Sequence, residues 1–196
     1  MTSKNTKMQK IEQVLIDIAL KIAKQEKGCL FVIKQNGLEY DTLIPQDVKP
    51  FDIIDNQRRL EALALVDGAC IIDKNGRLIA YSAKIKNTKT FKGFGTRHSA
   101  GYTSSLNRNV SILASEEDKK IRIFKNGSLI MQIDPLEKNI EYRTKEVVNV
   151  LESIGAGSIA TIGASVIAPT LGITLLPGII IFGSTYYLVK MLQKKR

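Results

Sequence analysis

Apolar residues recur at helical spacing near the start of the chain, while charged residues occupy the positions between them. The apolar positions are Ile11, Val14, Leu15, Ile18 and Ile22. This period predicts an amphipathic helix within residues 1–28 that ends near the glycine at its last position. Such a helix can lie on a membrane, pair with a partner helix or cover the core of its own domain, and we favour the last interpretation.

Short apolar runs bounded by turn residues predict the strands of a sheet. The predicted strands are Cys29–Ile33, Ala69–Ile72, Leu78–Ile85, Val110–Ala114, Ile121–Phe124 and Leu129–Ile133. Helices are predicted after Asp55, a candidate cap, through Leu60 to Leu65, at Thr96–Thr103 and at Glu141–Glu152. Hairpin turns are indicated at Lys74–Arg77 and Asn126-Gly127. This alternation is typical of an α/β domain with a mixed central sheet flanked by helices.

The last part of the chain has a different composition. Residues 154–189 carry no charge, and they are followed by Lys190, Lys194, Lys195 and Arg196. A membrane-spanning helix needs about 20 apolar residues, so this run exceeds one span and falls slightly short of two. Because a basic end favours the cytoplasmic side, we expect a helical hairpin that returns to that side. A single span and a buried soluble helix pair are the alternatives.

These patterns predict five segments. They are an amphipathic helix (1–28), an α/β domain (29–140), a connecting helix (141–153), a membrane-associated hydrophobic segment (154–189) and a basic cytoplasmic tail (190–196).

The charge balance and the rare residue types narrow the possible functions. Lys and Arg number 29 against 19 Asp and Glu, a formal net charge of +10, which suits an anionic partner without selecting one. One histidine and two cysteines exclude most zinc sites and any disulfide framework. We expect no nucleic-acid partner, because the chain shows neither an aromatic stacking platform nor a recognition helix.

The first stretch that could carry chemistry is Asp67-Gly68-Ala69, at the start of a predicted buried strand. An aspartate at a strand edge can hold a divalent metal or orient a hydroxyl nucleophile, and it can equally cap its own turn. The glycine lets another group approach the backbone closely.

The second stretch is Gly93-Phe94-Gly95-Thr96-Arg97-His98, where glycines precede a predicted helix. A helix N-terminus favours anions, and hydroxyl, guanidinium and imidazole groups all donate hydrogen bonds to phosphate oxygens. The stretch therefore predicts phosphate binding, although it matches neither a P-loop nor a Rossmann fingerprint.

The third stretch is Ser115-Glu116-Glu117-Asp118, after the predicted strand Val110–Ala114. Carboxylates there can ligate Mg²⁺ or Mn²⁺ together with substrate phosphates. We expect Ser115 and Glu116 to face inward, and we interpret Glu117 and Asp118 as part of a solvated turn.

The three stretches, in this order and at this spacing, resemble the diadenylate cyclase (DAC, or DisA_N) family. The resemblance implies an α/β enzyme that condenses two ATP molecules into cyclic di-AMP and pyrophosphate, with Mg²⁺ or Mn²⁺ as cofactor. It assigns catalysis to Asp67, Arg97 and His98, and the metal to Asp67 and Glu116. Asp67 would bind the metal or activate the ribose 3′-hydroxyl.

The resemblance also implies a nucleotide-binding set, in which the Asp-Gly-Ala backbone accommodates the nucleotide and the second and third stretches hold phosphates. The set is Gly68, Ala69, Gly95, Thr96, Arg97, His98, Ser99 and Ser115. Two positions differ from many family members, which carry His at Val66 and Arg at Ser99.

Two bound ATP molecules must face each other to form a cyclic dinucleotide, so the resemblance implies a homodimer. Together with the hydrophobic tail it predicts a membrane-anchored member of the family, at the cell membrane with its catalytic domain in the cytoplasm. The rival interpretation is a non-catalytic, membrane-tethered receptor or scaffold that binds adenine nucleotides.

Overall fold

The computed structural model describes residues 2–90, 95–136, 140, 144–155, 173–176 and 179–182. The helices are α1 (Thr2–Lys24), α2 (Gln57–Ala64), α3 (Thr96–Ser104) and α4 (Thr144–Gly155). The strands are β1 (Cys29–Lys34), β2 (Tyr40–Thr42), β3 (Phe51–Asp52), β4 (Ala69–Asp73), β5 (Arg77–Ile85), β6 (Val110–Ala114), β7 (Ile121–Lys125), β8 (Ser128–Ile133), β9 (Ile173–Leu176) and β10 (Ile179–Phe182).

The described strands form one mixed sheet with the order β2-β5-β4-β1-β6-β7-β8-β10-β9, and β3 also pairs with β5. Strand β1 lies parallel to β4 and antiparallel to β6. Strand β10 lies parallel to β8, and the remaining pairs are antiparallel. The predicted mixed α/β sheet is therefore confirmed.

Strand β1 shows why the run Cys29–Ile33 forms a central strand. Successive side chains of a strand point to opposite faces of the sheet. Phe31 and Ile33 join the larger hydrophobic cluster, which includes α1, whereas Leu30 and Val32 join a smaller cluster with α3 on the other face. A strand that is covered on both faces must be apolar at every position, which explains the continuous run.

Helix α1 packs against the sheet and against α4 through the face that the period predicted. Ile11, Leu15, Ile18 and Ile22 are all buried, so the interpretation of this helix as a cover for the core is confirmed. Helix α4 contributes Val147, Val148 and Leu151 to the same cluster. The two helices thus share one core with the sheet.

Some local predictions differ from the structure. Strands β2 and β3 were not predicted, and each is short and at the edge of the sheet. Asn56, not Asp55, occupies the N-cap of α2, and its side chain makes no capping hydrogen bond. Helix α4 begins at Thr144, while residues 141–143 of the predicted closing helix lie outside the described residues.

A helical hairpin was predicted for residues 154–189, and this is wrong where the structure describes the segment as strands. Strands β9 and β10 are extended and antiparallel to each other. Strand β10 has three Ile and β9 has Ile and Thr, β-branched residues that suit a sheet, and the edge of β8 offers β10 unpaired backbone groups. Residues 154 and 155 end α4, and apart from these two residues and the two strands, 154–196 lies outside the described residues. Among the helices that the structure describes, none is long and apolar enough to cross a bilayer.

Candidate active site

Asp67 precedes β4, where a bulge in β5 fixes the backbone. The register between β4 and β5 shifts on both sides of Ile71, and Ser82 in β5 has a positive φ of 49°. The Ser82 hydroxyl donates a hydrogen bond to the Asp67 carbonyl oxygen at 2.7 Å. Gly68 has a φ of 102°, and a Cβ atom there would lie 2.6 Å from the Ser82 carbonyl carbon. Position 68, between Asp67 and β4 and against the bulge, therefore accepts only glycine.

The Asp67 side chain accepts a hydrogen bond from the Gly68 N–H at 3.0 Å through Oδ1, so it also caps its own turn. Its carboxylate is 85% exposed, which leaves it accessible to a ligand.

Helix α3 begins opposite this aspartate. Gly95 is the N-cap residue, with an extended backbone (φ −74°, ψ −177°) and no side chain that could bond the first-turn N–H groups. Thr96 is the first helical residue, and the Ser99 N–H bonds the Gly95 carbonyl oxygen at 3.2 Å. Gly93 and Phe94 lie outside the described residues.

Arg97 joins the first and third stretches. Its Nη2 lies 4.0 Å from Asp67 Oδ1, and its Nη1 lies 3.6 Å from Glu116 Oε2. The guanidinium group therefore lies between two carboxylates that are 49 positions apart in the sequence. Because Arg97 is 40% exposed, this arrangement is open to solvent and to a ligand.

His98 lies deeper and belongs to a polar network beneath the cleft. Its Nε2 lies 2.8 Å from Nη1 of Arg122, which in turn forms an ion pair with Asp118. Burial, and next the adjacent Arg122 charge, lower the pKa of His98. Burial acts to raise the pKa of Asp118, but hydrogen bonds from Arg122 and Ser115 and the Arg122 charge outweigh it, so that pKa is lowered.

These groups surround a cleft of about 720 Å³. Eight of the predicted site residues line it: Asp67, Gly68, Ala69, Thr96, Arg97, His98, Ser115 and Glu116. The predicted residues Gly95 and Ser99 are not among the lining residues, although both belong to the first turn of α3 or its cap. Ser115 is buried, as expected, whereas Glu116, which was also expected to face inward, is 64% exposed at the cleft. The three stretches therefore converge on one cleft, and the role of each residue stays a prediction.

The structure also brings in residues that were not predicted for the site. Lys84 and Thr88 line the cleft from β5 and the loop after it. Gly28 lies against Arg97, and a Cβ atom there would overlap with Nη1. Asp118 lies in an exposed turn, as expected, but its carboxylate also forms an ion pair with the buried Arg122 of β7. In the sequence, the spacing of four positions between an Asp and an Arg was the feature that could have indicated this ion pair.

Asp67 and Glu116 would supply two ligands to a divalent metal whose coordination sphere a bound substrate would complete. Mg²⁺ is commonly bound by one or two carboxylates together with substrate phosphates and water, and these two carboxylates flank the same guanidinium. The part of the chain that the structure describes holds no group of three His, Cys, Asp or Glu that could bind a metal without such help.

A family model described as the DisA bacterial checkpoint controller nucleotide-binding (DAC) domain matches residues 17–129. That range contains every predicted site residue, from Asp67 to Glu116. The chain belongs to the DAC family. This match confirms the predicted family, whose model is described as nucleotide-binding.

Two relatives are themselves named diadenylate cyclase. The DAC relative from Haloferax volcanii is 31% identical over 137 residues, covering 63% of this chain and 51% of its own length. The relative from Methanocaldococcus jannaschii is 26% identical over 145 residues, covering 66% of this chain and 47% of its own. The chain thus spans about half the length of these curated relatives.

Two solved structures are similar at 20% sequence identity. One is a double mutant of DacA from Staphylococcus aureus, with a TM-score of 0.47 over 71% of this chain and 93% of that chain. The other is titled a hypothetical membrane spanning protein from Bacillus cereus, with a TM-score of 0.45 over 59% of each chain.

Proposed function

We propose that this chain is a diadenylate cyclase that converts two ATP molecules into cyclic di-AMP and two pyrophosphates. The observation that carries the proposal is the position of Arg97 in the cleft, between the carboxylates of Asp67 and Glu116. A cation with two adjacent carboxylates can bind a triphosphate and a metal at the same place. Family membership and the names of the two relatives support the same activity.

The reaction forms and breaks one bond at each of two phosphorus atoms. The 3′-oxygen of each ATP attacks the α-phosphorus of the other, and the bond from that phosphorus to the bridging oxygen of pyrophosphate breaks. The hydroxyl proton passes to Asp67 or to solvent, and pyrophosphate leaves with the electron pair. Rate enhancement in such a transfer comes mainly from positioning and from neutralising charge.

The cleft residues have complementary parts in this scheme. Arg97 and Thr96 bind phosphate oxygens at the start of α3, and Ser115 lines the cleft beside them with its hydroxyl donated to Asp118. Asp67 and Glu116 would hold Mg²⁺ or Mn²⁺, which when bound supplies Lewis-acid stabilisation of the phosphate charge. Gly68, held by the β5 bulge, keeps the backbone open to the nucleotide.

The reaction requires two copies of the chain. One bound ATP cannot form a cyclic dinucleotide, so we propose a face-to-face homodimer in which each cleft supplies one ATP. An isologous pair provides this geometry, because the same surface of each protomer faces the other. Specific activity should then rise with protein concentration until dimers predominate.

An assay of the full chain with ATP and Mn²⁺ tests the activity, with chromatography to detect cyclic di-AMP and released pyrophosphate. Cyclic di-AMP is the expected product. If ATP raises the melting temperature while no product forms in either Mn²⁺ or Mg²⁺, the chain is instead a nucleotide-binding receptor or scaffold.

We also propose that the uncharged run 154–189 attaches the chain to the cell membrane through its residues outside β9 and β10, with the catalytic cleft on the cytoplasmic side where ATP is present. The absence of charge over this length and the basic residues that follow it support the proposal. Sedimentation of the full chain with vesicles, but not of a version ending at residue 153, is expected. Equal sedimentation of both versions contradicts the proposal.

A further inference from the structure

Arg122 is a buried residue at the centre of a polar network beside the cleft, in which the Asp118 side chain is 39% exposed. Its Nη1 is 2.8 Å from His98 Nε2 and 3.0 Å from Asp118 Oδ1, and its Nη2 bonds the other oxygen of Asp118. The Arg122 side chain is 5% exposed. Asp118 also accepts a hydrogen bond from Ser115, which lines the cleft. The network therefore reaches from β7 to two residues of the cleft wall.

The chemistry of the guanidinium group decides the protonation of His98. Arginine has only hydrogen-bond donors and stays charged in proteins. His98 Nε2, facing Arg122 Nη1, must therefore be the acceptor and carry a lone pair. A neutral imidazole has one protonated nitrogen, so the proton lies on Nδ1.

We propose that Arg122, anchored by Asp118, is a positioning residue that fixes His98 as the neutral Nδ1–H tautomer. In this form Nε2 already accepts a hydrogen bond from Arg122, so it is not a general base, and Nδ1–H is the ring group that donates. The tautomer stands on the geometry alone, whereas its part in catalysis rests on the proposed function.

The anchoring by Asp118 gives the network its rigidity. Two parallel hydrogen bonds between a guanidinium and a carboxylate fix both the position and the plane of the guanidinium. Asp118 also keeps the buried Arg122 charge paired, without which its burial would be strongly unfavourable. Arg122 can then meet the imidazole in one orientation.

Nuclear magnetic resonance of the full chain, with ¹⁵N-labelled histidine, tests the tautomer directly. His98 is the one histidine in the sequence, so every imidazole signal belongs to it. At neutral pH we expect a protonated, pyrrole-type Nδ1 and an unprotonated, pyridine-type Nε2. A pyrrole-type Nε2 overturns the proposal, and this measurement needs no variant and no activity.

Two substitutions of Arg122 test its effect on function. Arg122→Lys keeps a side chain that only donates, whereas Arg122→Gln offers both a donor and an acceptor and so permits either tautomer. We expect the Lys variant to keep the Nδ1–H tautomer and the Gln variant to show a mixture. Turnover number should be about tenfold lower for Gln than for Lys, the effect of about one hydrogen bond.

Each variant is compared at equal folded fraction, by circular dichroism. If Arg122→Gln does not fold, combining it with Asp118→Asn removes the unpaired carboxylate. Equal tautomers and equal turnover in the Lys and Gln variants overturn the positioning role. If the wild-type tautomer is as proposed but no cyclic di-AMP forms, the proposed function fails while the tautomer assignment stands.

Discussion

Gly28 lies against the guanidinium group of Arg97, and a Cβ atom at position 28 would be 3.1 Å from Arg97 Cζ and would overlap with Nη1. The residue follows α1 and precedes β1, so the start of the central strand provides the space for the arginine. The backbone of Gly28 does not have a positive φ, so an alanine there is restricted by its neighbours alone: the Arg97 guanidinium and the Ala114 carbonyl oxygen, which would lie 3.3 Å from the Cβ atom.

Gly28→Ala should therefore lower activity more than stability. The end of a long side chain can shift cheaply, so we expect the free energy of unfolding to change by less than about 1 kcal/mol. Arg97 would move from Asp67 and Glu116, raising KM for ATP about tenfold or more, since charge-assisted hydrogen bonds are lost. Steady-state kinetics and denaturant unfolding measure the two effects.

The control for this prediction is Gly37→Ala. A Cβ atom at Gly37 would meet its nearest neighbour, Asn107 Nδ2, at an ordinary 3.5 Å. Its kinetics should match those of the wild type. A normal KM in Gly28→Ala would show that the space beside Arg97 does not matter for the substrate.

Glu116→Gln should weaken metal binding. Replacing a carboxylate by a neutral amide removes the charge that Mn²⁺ would bind, so the half-saturating Mn²⁺ concentration should rise about tenfold or more, roughly 1.4 kcal/mol. Activity at saturating ATP, measured over a range of Mn²⁺ concentrations, gives this value. Glu39→Gln is the matched control, because Glu39 is exposed and does not line the cleft. An unchanged Mn²⁺ dependence in Glu116→Gln removes this residue from the metal site.

The fold could be predicted where the local pattern and the tertiary environment agree. The run Cys29–Ile33 is apolar at every position because β1 is covered on both faces, and α1 shows the helical period because one of its faces is buried. The uncharged tail is the opposite case. An apolar run fits a membrane helix and a buried strand alike, and β9 and β10 depend on an available edge of β8 that no local pattern shows.

The candidate site was predictable only through the family motifs. Nothing local in the sequence indicates that these three residues meet, since Asp67 precedes β4, Arg97 lies in α3 and Glu116 follows β6. Gly28 was missed for the same reason, because its role depends on an arginine far along the chain. The residues around Asp118 are typical of a solvated turn. No local pattern shows that Asp118 is bound by Arg122, which lies in a predicted strand and is buried.

Acid should destabilise the native protein through His98. Burial, then Arg122, and to a lesser extent Arg97, lower its pKa below the ordinary 6.5, against the opposing charges of Asp118 and Glu117. Between the lowered value and 6.5 the unfolded chain binds a proton that the native protein does not. The free energy of unfolding therefore falls as the pH drops below 6.5 through this window.

His98→Gln isolates this effect, since the chain has no other histidine. We expect the melting temperature of the wild type to fall more than that of the variant between about pH 7 and about pH 5.5. Parallel melting curves over this range, or a wild type that gains stability on acidification, contradict the assignment of a lowered pKa to His98.

Asp67→Asn removes the charge that binds the metal or accepts the 3′-hydroxyl proton, while it preserves the shape of the side chain. We expect at least about a hundredfold less cyclic di-AMP per unit time, roughly 2.7 kcal/mol. Binding of a non-hydrolysable ATP analogue should persist, since Arg97 and Thr96 remain. Asp47→Asn, an exposed residue outside the cleft, should behave as the wild type. Turnover by Asp67→Asn equal to that of the wild type contradicts the account.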